Sequence, residues 1–445
     1  MTFPREPASR SRSLKRSAIV ACATAAIASN LSNGESGPSS LPATLFVTNC
    51  DDHGPGSLRD TIAAAVNHDN VDLTRLTCSV ITLTSGELPI NVDNLGVIGG
   101  TQVITAQGNS RVISHNGVGT IGLTELVLKD GAVTAHYARG GCLYSRGDIE
   151  LYAVTVSNCT LTSIGDFGGE AAGGGIFAAG SAMIRASTIA DNSIVPTSAP
   201  YSAGLGGGIF VGDGLYMSLS TISGNSIHGE AGYCYGGGLL AGYVRIEYST
   251  VSYNEADVAG GARFGGPLGA LTASRIVNST LSNNSGWAVV SDDVLLEVRD
   301  STIAFNGGGI NMSGLDEYLS VRSSIVANNG AGGSDYDIFV STLAGGGAII
   351  GSNNLIQTSN VPVPPDTIRS DPLLGPLADN GGPTMTLALM QGSPAIDAGG
   401  NSPDGSFDQR YTGFPRIVGI AADIGAFEVQ TPQSPPDSIF SNGFD

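Results

Sequence analysis

The residues able to do chemistry are few in this sequence, and they are scattered. Asp292 and Asp293 form the adjacent acidic pair of the central region, with Glu297 and Arg299 close behind. Two carboxylates can share acid and base work on a glycosidic bond only when both face one groove. Neighbouring strand residues point to opposite faces, so a solvated turn suits this pair better than a catalytic dyad. A denser set lies near the C-terminus: Asp397, Asp408, Asp423 and Glu428, with Arg410 and Arg416. Carboxylate oxygens suit calcium, the one ion left open here, but neither an EF-hand loop nor a calcium-binding nonapeptide repeat occurs. Ion pairs locking a terminal cap explain these residues more simply. His53, His68, His115, His136 and His228 form no i, i+4 pair and no H-E-x-x-H. No serine sits in G-x-S-x-G, so neither a zinc site nor a hydrolase triad has support. No catalytic, cofactor-binding or metal-binding residue is assigned.

Repetition, by contrast, is explicit. Six segments align, from Ser187-Thr188-Ile189-Ala190-Asp191-Asn192 to Ser323-Ser324-Ile325-Val326-Ala327-Asn328. Their last residues, Asn192, Asn225, Asn254, Asn284, Asn306 and Asn328, recur at intervals of 33, 29, 30, 22 and 22. A weaker copy ends on Cys159. Periods of this size indicate a solenoid. The units are short, rich in Ile, Val, Thr and Ser, and bounded by Gly and Asn, which favours strands and tight turns over helices. Stacking one unit per coil aligns Ile189, Ile222, Val251, Leu281, Ile303 and Ile325 as an internal aliphatic ladder and the six asparagines as a turn ladder. Glycine runs at Gly173, Gly206 and Gly236 recur in the same phase. They lack the lysine of a phosphate loop, so backbone geometry explains them. Extra residues, such as 194–205 and 227–235, fall at one phase and must leave the solenoid on one side, where recognition loops are commonly built.

The first 28 residues form an expected signal peptide. Arg10, Arg12, Lys15 and Arg16 precede an apolar stretch, and Ala26-Ile27-Ala28 sets cleavage between Ala28 and Ser29. That stretch is too short to span a bilayer, and no later segment is long and apolar enough. Five basic residues and one acid leave with it, so the formal charge of −19 becomes about −23. Such a surface repels phosphate backbones, which argues against nucleic acid and favours cations and neutral or basic ligands. Five cysteines remain. Cys50 and Cys78 flank the first helical segment and are the expected disulfide, while Cys142, Cys159 and Cys234 have no assigned partners.

The resulting fold is all-β: a right-handed parallel β-helix solenoid with a short N-terminal capping helix and a C-terminal cap. The divisions are a signal peptide at 1–28, an N-terminal cap at 45–78, the parallel β-helix at 79–360, a C-terminal cap at 361–430, and a linker and tail at 431–445. Ser57-Leu58-Arg59-Asp60 marks the helix start, with Leu58, Ile62, Ala65 and Val66 on one face. About 11 coils are expected, at about 4.8 Å each.

The repeats resemble those of pectate-lyase-like β-helices. The set Asp371-Pro372-Leu373-Leu374-Gly375, Gly392-Ser393-Pro394-Ala395-Ile396-Asp397, Asp408-Gln409-Arg410 and Asp423-Ile424-Gly425-Ala426-Phe427-Glu428 resembles the choice-of-anchor Q domain of bacterial surface β-helix proteins. That resemblance implies display outside the cell and assigns no chemistry. The expected function is therefore a non-catalytic surface or extracellular protein, adhering to cell-surface ligands or binding glycans through loops on one side of the helix. The alternative is a polysaccharide lyase or glycoside hydrolase of the pectin-degrading β-helix type.

Overall fold

The computed structural model describes residues 42–430, apart from 165–168, 197–201, 230–232, 266–272, 293–294, 314–317, 331–335, 342–347 and 402–404. Ala28, Ser29, Asp293 and the 431–445 tail lie outside the described residues. The chain winds into a parallel β-solenoid of about ten turns. Each turn has three faces. A first face stacks Asp148–Tyr152, Ala182–Arg185, Ile209–Ser218 (through its second half), Leu239–Glu247 (likewise), Ser274–Val277 and Leu296–Arg299. A second face stacks Thr155–Ser157, Thr188–Ala190, Thr221–Ser223, Thr250–Ser252, Thr280–Ser282, Thr302–Ala304 and Ile325–Ala327. The third includes Leu143–Ser145, Ile176–Ala178, Ala262–Phe264 and Trp287–Ser291. On the second face Val156, Ile189, Ile222, Val251, Leu281, Ile303 and Val326 point inward and are fully buried. Each contributes roughly 1.5–3 kcal/mol by leaving water.

Corners between faces are where the polar repeats act. Asn192, Asn225, Asn254, Asn284 and Asn306 are buried in a stack along one corner. The side-chain oxygen of each of the last four accepts both the backbone N–H and the side-chain amide of its predecessor, the amide contacts being 2.9 Å. The third glycine of each run faces these amides. A Cβ on Gly175 or Gly208 would stand 2.8 Å from the side-chain carbon of Asn192 or Asn225.

The last asparagine rung is Asn329, not Asn328. Asn306 donates to Asn329 at 2.9 Å, and Ile303 pairs with Val326 instead of Ile325. Asn328 occupies the left-handed corner (φ 56°) that Phe305 fills one coil earlier (φ 62°). Ser323-Ser324, Ile325-Val326 and Asn328-Asn329 are doublets of like residues, so hydrophobicity alone could not decide the register, and a one-residue slip exchanges faces. Ile325 consequently faces out of the solenoid, beneath the C-terminal segment. Beyond Asn329 the ladder ends on Asp337, whose carboxylate accepts the Asn329 amide at 2.9 Å. At the other end the Cys159 N–H donates to Asn192, and Cys159 is bonded to Cys142. A second ladder went unnoticed in the sequence. The Ser220, Ser249, Ser279, Ser301 and Ser324 hydroxyls accept the backbone N–H of the preceding serine at 3.0–3.2 Å.

At the N-terminus, α1 (Leu58–Ala64) starts on Ser57, whose hydroxyl accepts the Asp60 N–H. Leu58, Ile62 and Ala65 are buried, but Val66 is 50% exposed because the chain becomes extended at Ala65. A disulfide joins Cys50 to Cys78, with Cα atoms 6.5 Å apart. Asp52 accepts from Arg59, Thr84 and Ser85. Burial opposes its charge, but these hydrogen bonds outweigh burial and hold the carboxyl far below the usual carboxylate range.

The one-sided insertions are not loose loops along their whole length. They build a fin of two four-stranded parallel sheets. One holds Ala132–Ala135, Thr160–Ser163, Ser193–Val195 and Ser226–Ile227; the other holds Tyr137–Arg139, Glu170–Ala172, Ala203–Leu205 and Tyr233–Tyr235. Ala138, Leu161, Ala171, Ile194, Ile227 and Cys234 form a separate core between them.

The C-terminal segment also departs from expectation. It does not simply plug the end of the solenoid; it folds back along the second face as a strap. Thr384 and Met385 bond to Tyr248 and Thr250, Gln409 to Thr250 and Thr280, Ala426 to Thr302, and Gly425 to Ser323. These outward threonines, Thr250, Thr280 and Thr302, are buried for that reason. The strap contains the antiparallel pair Leu374–Ala378 and Thr386–Leu389.

Candidate functional site

The central acids singled out in the sequence do not converge on a shared groove, whereas Asp397, Asp408, Asp423, Glu428, Arg410 and Arg416 meet one another inside the strap. Asp292 sits at a corner with one oxygen 2.7 Å from Arg263 Nε and the other accepting the Ser313 hydroxyl at 2.5 Å. Asp293 lies outside the described residues, while Glu297 and Arg299 project from the first face. In the strap, Asp408 clasps Arg410, whose guanidinium lies between the Phe414 and Phe427 rings at 4.1 and 3.9 Å. Asp397, Asp423 and Glu428 accept backbone N–H groups that fold the strap. Burial pushes Asp423 and Glu428 up, Glu428 to about 7. His115 is a core residue bonded to Ser145 and to the Val92 and Asp93 carbonyls, and burial lowers its pKa.

Among the described residues, three surfaces stand out as candidates. A groove of about 630 Å³ runs along the edge of the fin, lined by Pro196, Ile227, His228, Glu255 and Asp257 among others. In the corner between fin and third face, Tyr144, Phe177 and Phe210 stack at 5.5 and 5.0 Å. The rings of Tyr144 and Phe177 already carry Arg111 and Arg139, so this stack is occupied by the protein itself.

The outward side of the first face is different. Strand register places Glu150, Met183, Tyr216, Arg245, Arg275 and Glu297 in one continuous row. A parallel row carries Tyr152, Arg185, Ser218, Glu247, Val277, Arg299 and Arg322. Tyr152, Met183 and Tyr216 are 50%, 53% and 39% exposed. Tyr243 meets Tyr216 edge-on at 6.0 Å, and a Cβ on Gly214 would overlap its ring. The first row spans about 24 Å at the coil spacing.

This track runs into a cleft of about 500 Å³ lined by Arg245, Glu247, Tyr248, Arg275, Val277, Asn278, Glu297 and Arg299. Arg245 Nε lies 2.7 Å from Glu247 and Arg275 Nε 3.0 Å from Glu297. Tyr248, whose pKa burial raises, packs edge-on against Tyr411 of the strap at 5.1 Å. Asn278 is buried, and its side-chain oxygen has no hydrogen-bond partner. The first face therefore forms the floor of the cleft, and Tyr248 at its edge packs against the strap.

No family model matches this chain, and no curated protein matches it. Among solved structures, a pectate lyase, Pel9A, is similar over 87% of this chain and 97% of its own, at 16% identity and a TM-score of 0.41. The likeness of the C-terminal motifs to choice-of-anchor Q is not shown by these comparisons.

Chemically, the track offers apolar ring faces at one end and guanidinium donors at the other. Each cleft carboxylate, Glu247 and Glu297, is held by an arginine. Sequence reading missed the track because its members lie about 30 residues apart and share no motif. Only the coil register brings them into line.

Proposed function

We propose that this chain is an exported, non-catalytic binding protein that holds an extended glycan along its first face. The observation that carries this reading is the row Met183, Tyr216, Arg245 and Arg275, in register and facing outward. Tyrosine and methionine side chains give sugar rings an apolar surface, and arginine supplies several fixed donors per residue. The signal segment and the two disulfides support a location outside the cytoplasm. Among the described residues, no helix is long and apolar enough to cross a membrane. The strap motifs favour display at the cell surface. The fin provides a second surface for adhesion.

Affinity electrophoresis of the mature protein through gels containing acidic or neutral polysaccharides, with and without calcium, tests the reading. Retardation by at least one polysaccharide is expected, and it should be lost in Tyr216→Ala and Tyr243→Ala. Reproducible chain cleavage would replace it with the lyase or hydrolase alternative. Binding that survives both tyrosine variants would move the site to the fin.

A further inference from the structure

We propose that the arginine cleft is a subsite for a single anionic sugar, so that the ligand is a glycan of sparse charge: neutral rings over Met183 and Tyr216, one carboxylated or sulfated ring over Arg245 and Arg275. This rests on the glycan-binding reading and specifies the ligand. The chain has a formal charge of −19, yet four of its few arginines, Arg245, Arg275, Arg299 and Arg322, gather on adjacent coils of one face. A densely charged polymer would be repelled by the molecule as a whole. One anionic unit is attracted locally.

The pairs Arg245–Glu247 and Arg275–Glu297 engage the guanidinium through Nε, and both arginines are about half exposed. Exposed ion pairs of this kind are worth little, so an incoming anion can exchange for the glutamates or bridge the arginine ends in bidentate fashion. Asn278 also lines the cleft, 2% exposed, with its side chain hydrogen-bonded to Tyr248.

The test keeps one backbone and varies its charge: dextran, dextran bearing sparse carboxymethyl or sparse sulfate groups, and fully sulfated dextran, with an oligo-dT strand as a polyanion that is not a sugar. Retention by the sparsely charged dextrans is expected to exceed that by neutral dextran about tenfold, the value of one charge-assisted contact pair. Arg245→Ser/Arg275→Ser should erase that difference while leaving the thermal midpoint unchanged. Asn278→Asp should weaken the charged dextrans selectively. Equal retention of neutral and sparsely charged dextran overturns the anionic subsite but leaves the track. Strongest retention by fully sulfated dextran or by oligo-dT overturns sparse charge, and a preference that survives the double variant moves it away from the cleft. Failure of every dextran overturns this inference together with the reading beneath it. Carboxymethyl against sulfate shows which anion the cleft takes.

Discussion

The side chains of Asn225 and Asn254 each hold four hydrogen bonds in a buried corner, counting those accepted and those donated. Alanine at either position leaves the neighbouring amides unpaired, and a loss of about 1–3 kcal/mol is expected in denaturant unfolding. The register at the final rung gives a sharper contrast. Asn329→Ala should cost a similar amount, whereas Asn328→Gly should change stability by less than about 0.5 kcal/mol, because glycine accepts the left-handed corner freely. Equal effects at the two positions would restore the alternative register. The ladder itself was legible in the sequence because each rung repeats a type, Asn after an aliphatic strand. Its last rung was not, because two asparagines stand side by side and only the coil above distinguishes them. Serine offered no such signal: it is frequent everywhere in the chain, so its stacking at Ser187 through Ser324 was hidden by composition.

Among the elements, the strap responds to pH near neutrality. Burial raises Asp300, Asp423 and Glu428 around the buried Arg416, Glu428 to about 7. A carboxyl whose folded pKa lies above its unfolded value favours folding fully below about pH 4.5, and that contribution fades as the pH rises through about 7. Strap docking should therefore weaken between pH 5 and 8. Amide exchange at Gly425 and Ala426, which dock on Ser323 and Thr302, would report it. Rates corrected for intrinsic exchange should rise over that interval, and Glu428→Gln should flatten the rise. The N-terminal cap responds in the opposite sense. Asp52 is held low by its donors, so its contribution is present above about pH 4 and fades on acidification through its depressed folded pKa. The sequence announced α1 through its capping serine, and the fin through its insertion phase. The path of the strap was not announced, because Thr250, Thr280 and Thr302 look like ordinary outward strand residues until something covers them.

For the whole molecule, the two disulfides close loops of 28 and 17 residues of sequence separation. Replacing either pair by serine should cost about 3–4 kcal/mol by chain entropy. Intact mass of exported protein should begin at Ser29, with Cys50, Cys78, Cys142 and Cys159 resistant to alkylation. Cys234 is a buried free thiol whose pKa burial and Asp257 raise to about 11, so it should react only after unfolding. Loss of label resistance at Cys50 before the others would locate the first part to open.

A solenoid whose coils touch only their neighbours resists tension one coil at a time, like a zipper. The strap alters that mechanics over one stretch. Gln409 reaches both Thr250 and Thr280, while Ala426 and Gly425 hold Thr302 and Ser323, so four consecutive coils are stitched by a single crossing thread. Pulled from its two ends in an optical trap, the protein should yield the coils before residue 240 in small successive steps and then release the stitched block in one larger event. Cutting the thread with Gln409→Ala and Thr302→Val should divide that large event into steps of the size of the others.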